Sequence, residues 1–295
     1  MVKLLWRAGL VLLLLLVPAA AQTLPTARIF LLERASVPPS WLFGTMHSSD
    51  PEIVALPREV RVAFGRSRLV VGELDMSATN VMEAFLGFLL PAGESLQDIL
   101  PPDLYAETAQ ALESRGLFSG YLHDRLQPWA AAVVLSFDQE EIERQRQGVE
   151  VLDDVLQRLA RERGKAVVGL ETAAEQLAVF HNMPIDWQIE MLRLSLEHPE
   201  LTGAVSGELR QLYLAGDHDG AWRYYLDLAE AYDSPYVRYF TQAAIVERNH
   251  RMAERLAPLL AEGGAFVAVG ALHLPGPDGL LALLQRQGYR ISALP

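Results

Sequence analysis

The chain has 295 residues, of which 51% are apolar and 21% are charged, and it contains no cysteine. This composition suits one large globular domain or two small ones and argues against general disorder, and the missing cysteines exclude disulfides and thiolate metal sites. The formal net charge is −12 and no run rich in Lys and Arg occurs, which argues against a nucleic-acid-binding protein.

The first 21 residues have the pattern of a secretory signal peptide. A basic start is followed by an apolar run at 10–17, by Pro18, and by three alanines that supply the small residues of a cleavage site. We expect cleavage after Ala21, so that the mature chain of residues 22–295 acts in the periplasm or outside the cell. An uncleaved anchor is the alternative. No later segment is long and apolar enough to be predicted as a membrane span.

The first predicted elements after this segment are strands and one helix. Residues 28–33 and 41–43 are expected to form a hairpin around a turn at 37–40. A helix is expected at 57–65, and residues 69–75 form the next predicted strand. This order predicts a strand–helix–strand unit whose strands end in polar residues.

The middle of the chain is predicted to be helical apart from one strand. Residues 165–171 form that strand, and Thr172 and Glu175 directly after it fit a capping box at the start of a helix. Apolar residues at helical spacing predict further helices at 82–90, 104–116, 128–137, 149–159, 184–197, 201–214, 221–232 and 235–255. The sequence therefore predicts a helical insertion at about 79–163 and 172–262.

The last predicted strands lie at 266–270 and 289–292, with a turn at 275–277 and a helix at 280–287 between them. Strands therefore come from both ends of the mature chain, and helices come from its middle. This pattern predicts an α/β fold, in which a mixed central sheet is flanked by helices and a helical insertion separates the N- and C-terminal sheet-forming segments.

Four of the predicted strands carry a glycine near their C-terminal end, and a histidine or a glutamate follows it within three residues. The pairs are Gly44 and His47, Gly72 and Glu73, Gly169 and Glu171, and Gly270 and His273. If these strands are neighbours, two imidazoles and two carboxylates converge on one edge of the sheet, where α/β proteins place ligand sites. Such a set suits Zn²⁺, Mn²⁺, Co²⁺ or Fe²⁺, with one glutamate as a ligand and the other as general base. A polar site without metal is the alternative.

Arg248 and Asn249 follow an apolar stretch of the long predicted helix near the C-terminus. Arg248 could clamp a substrate carboxylate or pair with a glutamate of the site, and a salt bridge within the helix is the alternative. Five other histidines lack a comparable context and are expected to be structural or exposed: His123, His181, His198, His218 and His250.

Five segments together resemble the TraB/GumN family, which includes the Tiki-type metalloproteases. They are residues 41–47 (WLFGTMH), 71–75 (VGELD), 169–172 (GLET) with Gln176, 247–249 (ERN) and 269–276 (VGALHLPG). The resemblance runs from about residue 30 to residue 291. One departure is residues 148–150 (GVE), where relatives are expected to carry Gly-x-Asp.

The resemblance implies an α/β fold with both Gly-x-x-His motifs at one site. For the Tiki branch it also implies a peptidase that depends on a divalent metal, with Mn²⁺ or Co²⁺ as the expected ion and Zn²⁺ as a further candidate. Carried over onto this sequence, the resemblance implies metal ligation by His47, Glu73 and His273. It identifies three further site residues, which are Glu171, Arg248 and Asn249.

We therefore predict a metal-dependent peptidase or related hydrolase that acts on a peptide or protein. In the expected mechanism the metal activates water, Glu171 is the base, and Arg248 or Asn249 orients the substrate or its oxyanion. Two other functions stay open. A non-catalytic protein could sequester a peptide or a polysaccharide in the same cleft, and a hydrolase without metal could use His47 as base with Glu73 as its partner.

Overall fold

A computed structural model describes residues 25–79, 81–116, 121–232 and 234–294. The predicted signal peptide and its cleavage site lie outside the described residues. Within these ranges no helix combines the length and the apolar character that crossing a lipid bilayer requires.

A mixed sheet of six strands lies at the centre of the described residues. The strands are β1 (Ile29–Arg34), β2 (Val37–Thr45), β3 (Leu69–Gly72), β4 (Ala166–Gly169), β5 (Ala265–Gly270) and β6 (Arg290–Leu294). Their order across the sheet is β4-β3-β5-β2-β1-β6. Neighbours among β4, β3, β5 and β2 are parallel, whereas β1 runs antiparallel to β2 and β6. A strand from near the C-terminus therefore lies between two strands from near the N-terminus.

Helices fill most of the remaining described residues. They are α1 (Pro51–Val54), α2 (Arg58–Arg66), α3 (Val81–Leu86), α4 (Leu96–Ile99), α5 (Pro102–Arg115), α6 (Tyr121–Asp124), α7 (Pro128–Ser136), α8 (Gln139–Arg146), α9 (Leu152–Glu162), α10 (Ala173–His181), α11 (Ile185–Glu197), α12 (Pro199–Ala215), α13 (His218–Ala231), α14 (Pro235–Phe240), α15 (Glu247–Glu262) and α16 (Leu280–Arg286). A π-helical segment, Thr241–Val246, joins α14 to α15, and a 3₁₀ turn, Ala271–His273, follows β5. The predicted α/β fold with its mixed central sheet flanked by helices is confirmed.

Both faces of the sheet are buried, and this explains why its central strands are continuous apolar runs. Alternate residues of a strand point to opposite faces. In β5, Val267 and Val269 pack with apolar residues of α15 and α16, whereas Phe266 and Ala268 pack with apolar residues of α2 and α9. The helices α15 and α9 are thus held against opposite faces of the sheet, and both reach the edge where the parallel strands end.

A separate apolar core lies within the helical segments. It includes residues of α5, α7 and α11, and its centre is Trp129, whose ring stacks on Phe180 with centroids 4.4 Å apart. The helix α7 is buried almost all round, which explains why its sequence shows no polar face. The capping box predicted at Thr172 and Glu175 is present.

The turn predicted at residues 37–40 is wrong. The chain reverses at Ala35 and Ser36, where Ser36 adopts a positive φ of 64°, and β2 begins at Val37. Pro38 and Pro39 are tolerated in β2 because its pairing with β5 begins only at Trp41 and its pairing with β1 is irregular between Leu32 and Arg34, opposite the two prolines. A proline at the start of a strand removes no ladder hydrogen bond there.

Candidate active site

The four parallel strands end side by side, and this brings the predicted residues to one edge of the sheet. Glu73 directly follows β3, and Glu171 lies two residues beyond β4. On the other two strands, His273 closes the 3₁₀ turn after β5, and His47 lies two residues beyond β2. Arg248, in the first turn of α15, approaches the same edge from one face of the sheet.

The guanidinium of Arg248 joins the two glutamates. Its Nη2 donates to Glu73 Oε2 and to Glu171 Oε2, each at 2.6 Å, and its Nε donates to both Glu171 oxygens at 3.1 and 3.0 Å. The side chains of Glu171 and Arg248 are 0% and 13% exposed. Of the alternatives considered for Arg248, the structure thus shows the pair with the glutamates of the site.

Asn249 determines which nitrogen of His273 carries the proton. The Asn249 Nδ2 donates to the carbonyl oxygen of Asp278 at 2.9 Å, so that its Oδ1 faces His273 Nδ1 at 2.7 Å. An amide oxygen only accepts hydrogen bonds, and Nδ1 therefore bears the hydrogen and the neutral ring keeps a lone pair on Nε2. Burial lowers the pKa of His273, although Glu73 opposes this, and the lowered pKa favours the neutral ring.

The carboxylate of Glu73 lies on the Nε2 side of that ring. Its Oε1 is 3.8 Å from His273 Nε2 and accepts a hydrogen bond from the Gly270 N–H at 2.7 Å. A Cβ atom at Gly270 would lie 3.2 Å from this oxygen, so glycine permits the close approach. Burial alone would raise the pKa of Glu73, but the positive charge of Arg248 and the hydrogen bond from the Gly270 N–H lower that pKa below its usual value. Glu73 is therefore ionised at neutral pH.

His47 enters the site from the opposite face, near α9. Its side chain is 67% exposed, and its Nδ1 lies 3.6 Å from Asp153 Oδ2. Asp153 also accepts a hydrogen bond from Thr45 Oγ1 at 2.8 Å, and it raises the pKa of His47. His47 and Glu73 line one cleft of about 310 Å³ together with Asp153, Asp154 and Gln176.

A larger cleft of about 590 Å³ borders Glu171 on the side of α3 and α10. Its lining includes the carboxylates of Asp75 and Glu83 and the apolar side chain of Leu177. Gln176 lies at the start of α10 and donates to Glu73 at 3.1 Å and to Glu171 at 3.3 Å. Glu73 thus borders the smaller cleft and Glu171 the larger one.

The predicted metal ligands fit a divalent ion in chemistry but are only partly assembled. The lone pair of His273 Nε2 and the ionised Oε1 of Glu73 lie 3.8 Å apart, a separation that an ion with bonds of about 2.0–2.2 Å can bridge. His47 lines the same cleft as Glu73, yet its Nδ1 faces Asp153. In the part of the chain that the structure describes, no three His, Asp or Glu side chains are arranged to hold a metal ion.

Sequence reasoning missed Asp153 and Thr45. Asp153 stands with Asp154 in the first turn of α9, and acidic residues there are common because they stabilise the helix dipole. Thr45 lies inside the first Gly-x-x-His motif, but nothing in a strand sequence shows which helix its hydroxyl will meet. Only the packing of α9 against the sheet reveals the contacts of these two side chains.

Comparison with known proteins shows which family the chain resembles. The profile of the TraB/PrgY/gumN family matches residues 29–293. Curated relatives include Metalloprotease TIKI1 of Danio rerio, 28% identical over 305 residues, with 88% of this chain and 61% of the relative covered. Metalloprotease TIKI1 of Homo sapiens is 28% identical over 310 residues, with 88% and 60% covered. Metalloprotease TIKI2 of Xenopus tropicalis is 28% identical over 306 residues, with 88% and 58% covered.

This chain thus spans about three fifths of the length of the curated relatives it matches. No solved structure matches it significantly. Because the family profile covers almost all of the described residues, the chain belongs to the TraB/PrgY/gumN family.

Proposed function

We propose that this protein is a divalent-metal-dependent peptidase that acts on a peptide or protein in the periplasm or outside the cell. The observation that carries the proposal is the lone pair of His273 Nε2, which faces the ionised Glu73 across 3.8 Å. The names of the curated relatives, all metalloproteases, support the same class of reaction.

In this proposal His273 and Glu73 hold the ion, and His47 is the third ligand. Mn²⁺ and Co²⁺ are the expected ions and Zn²⁺ is a third candidate, because imidazole and carboxylate suit all three. When bound, such an ion polarises a carbonyl and lowers the pKa of its water. Asn249 is only 1% exposed, so it acts on His273, keeping the proton on Nδ1, and not on the substrate.

Arg248 and Glu171 have linked roles in the proposal. Arg248 holds both glutamates, and its positive charge beside Glu73 keeps that carboxylate ionised. Glu171 is the proposed base, but both its oxygens accept hydrogen bonds from Arg248. Because the Glu171 side chain is 0% exposed, its surroundings must open before this carboxylate can take a proton from water.

Metal binding tests the proposal directly. We expect the wild-type protein to bind Mn²⁺ or Co²⁺ in isothermal titration calorimetry, and His273→Ala and His47→Ala to bind them at least tenfold more weakly. His250→Ala is the matched control, since His250 is exposed and its Nε2 is paired with Asp278 at 2.9 Å. Equal affinities of the wild type and His273→Ala would contradict the proposal.

Peptide cleavage is the second measurement. A peptide library of mixed sequence is incubated with the protein and each ion, and products are read by mass spectrometry. We expect cleavage that a chelator abolishes and that added Mn²⁺ or Co²⁺ restores. Cleavage that survives the chelator would favour the hydrolase without metal, in which His47 is the base and Glu73 its partner.

One observation favours a second function, that of a protein that sequesters its ligand without cleaving it. The Glu171 side chain is 0% exposed, and both of its oxygens accept hydrogen bonds from Arg248, so water does not reach this carboxylate in the arrangement shown. Such a protein would hold a peptide or a polysaccharide beside the same residues. Binding of library peptides without any product under Mn²⁺, Co²⁺ and Zn²⁺ would favour it.

A further inference from the structure

The loop that carries His47 is bound to a glutamate more than ninety residues later in the chain. Glu141, on α8, accepts a hydrogen bond from Ser48 Oγ at 2.8 Å and from Ser49 Oγ at 2.7 Å. The Ser49 N–H lies 2.9 and 3.0 Å from the two carboxylate oxygens. These bonds all reach the two residues that directly follow His47.

Glu141 is built into the interior as a charged group. The residue is 6% exposed, and Arg144 Nη2 and Gln145 Nε2 donate to it from α8 itself at 3.1 and 2.9 Å. Burial alone would raise the pKa of Glu141, but hydrogen bonds from Gln145, Ser49 and Ser48 hold it at about 2. Hydrogen bonds to an ionised carboxylate are roughly twice as strong as neutral ones, so the loop is firmly held.

The same loop is fixed from a second helix. The Leu152 N–H, at the start of α9, donates to the carbonyl oxygen of Ser48 at 3.0 Å. The next residue of α9 is Asp153, whose carboxylate faces the His47 ring. Attachment of the backbone to α8 and α9 thus sets the side from which His47 enters the cleft.

We propose that Glu141 is a positioning residue for His47. It acts through Ser48 and Ser49, and it holds their backbone so that the imidazole lies beside Asp153 in the cleft shared with Glu73. The inference rests on the proposed function, because a ligand in that cleft is what the placement of His47 would serve. Through Glu141, the helix α8, which lies between β3 and β4 in the chain, helps to position a residue of the site.

The test compares Glu141→Gln with Glu140→Gln. Both variants remove one negative charge from α8, but the Glu140 side chain is 85% exposed and its contact with Arg144 is 3.5 Å long. The first readout is the imidazole Cε1–Hε1 signal of His47 in a two-dimensional NMR spectrum, assigned with His47→Ala. We expect Glu141→Gln to shift or split this signal and to leave that of His250 in place, whereas Glu140→Gln changes neither.

The second readout is Mn²⁺ affinity, which we expect to fall about 10- to 100-fold in Glu141→Gln, as for the loss of other residues that orient a ligand, and to stay unchanged in Glu140→Gln. An unchanged His47 signal in a folded Glu141→Gln protein would overturn the positioning role, whether or not metal binds. A shifted His47 signal in a protein that binds no ion even as wild type would support the positioning role and reject the metal.

A milder variant covers the case in which Glu141→Gln does not fold. Ser49→Ala removes one hydroxyl bond to the carboxylate and keeps the N–H that lies 2.9 Å from it. We expect a smaller shift of the His47 signal with the melting temperature close to that of the wild type. A His47 signal identical to that of the wild type would again overturn the role of Glu141.

Discussion

Replacing Arg248 by methionine would leave one fully buried and one partly buried carboxylate without their main partner. The side chains of Glu73 and Glu171 are 24% and 0% exposed, and both accept hydrogen bonds of 2.6 Å from Arg248 Nη2. Methionine fills a similar volume and carries no charge. Compensation would be partial, because Arg251 Nη2 lies 3.6 Å from Glu171 and Gln176 still donates to both carboxylates.

Removing one partner of a buried ion pair costs about 3–5 kcal/mol. We expect the lower part of this range, about 3 kcal/mol, because Arg251 remains near Glu171. Arg255→Met is the matched control. Arg255 pairs with Glu175 at 2.5 Å, but these side chains are 41% and 33% exposed, and such a pair is worth only about 0–1 kcal/mol.

Urea unfolding at neutral pH, followed by tryptophan fluorescence, measures the free energy of unfolding of both variants. The values can be compared when the dependence of the free energy on urea concentration has the same slope in each. The double variant Arg248→Met with Glu171→Gln should recover part of the loss, because it removes the buried charge that the single variant leaves unpaired. Equal losses for Arg248→Met and Arg255→Met, or no recovery in the double variant, would refute the reasoning.

Three further predictions concern packing and pH. Gly44→Ala should lower the free energy of unfolding by about 1–3 kcal/mol, because the added Cβ would lie 2.8 Å from His218 Cε1. The control is Gly65→Ala, whose Cβ meets nothing within 4 Å. It should be neutral or stabilising by up to about 1 kcal/mol in the same urea assay. Since the pKa of Glu141 is about 2 when folded and near 4.5 otherwise, its contribution is present above about pH 4.5 and is lost as the pH falls toward 2. The melting temperature of Glu141→Gln should therefore fall less steeply than that of the wild type between pH 4.5 and 2. Parallel plots of melting temperature against pH for the two proteins would contradict this. Burial lowers the pKa of His218 from 6.5 to about 4, so as the pH falls the unfolded chain binds a proton at this residue before the folded chain does. The free energy of unfolding should therefore decline from pH 6.5 toward 4, and His218→Leu should flatten that decline.

The edge of the sheet that carries the site could be predicted because a short sequence pattern marks the end of each strand. Three of the four parallel strands, β2, β3 and β5, are buried on both faces near the site, so they read as apolar runs, and a glycine and a polar residue follow where burial ends. That β5 inserts between β2 and β3 could not be read from any one segment. The repeated pattern at Gly44 and Gly270 predicted only that the two ends of the chain meet at one site, and the order of the strands is seen only in the sheet itself.

The contacts that hold His47 could not be predicted, since they depend on which carboxylate becomes buried. The sequence of α8, QEEIERQR, has the pattern of a solvated helix, and Glu140 and Glu141 look equivalent in it. Packing leaves the first exposed and buries the second. Likewise, the acids at the start of α9 look like ordinary helix-terminal charges until Asp153 is seen beside His47.

The π-helical segment Thr241–Val246 makes the number of residues in this part of the chain as important as their identity. A π turn closes its hydrogen bond one residue later than an α turn does, and each residue of a regular α-helix rotates the chain by about 100°. Deleting a single residue here would restore α-helical phase and change the rotation of Arg248 and Asn249 relative to α14 by about 100°. A shortened helix could therefore keep every residue of the site and still lose its arrangement.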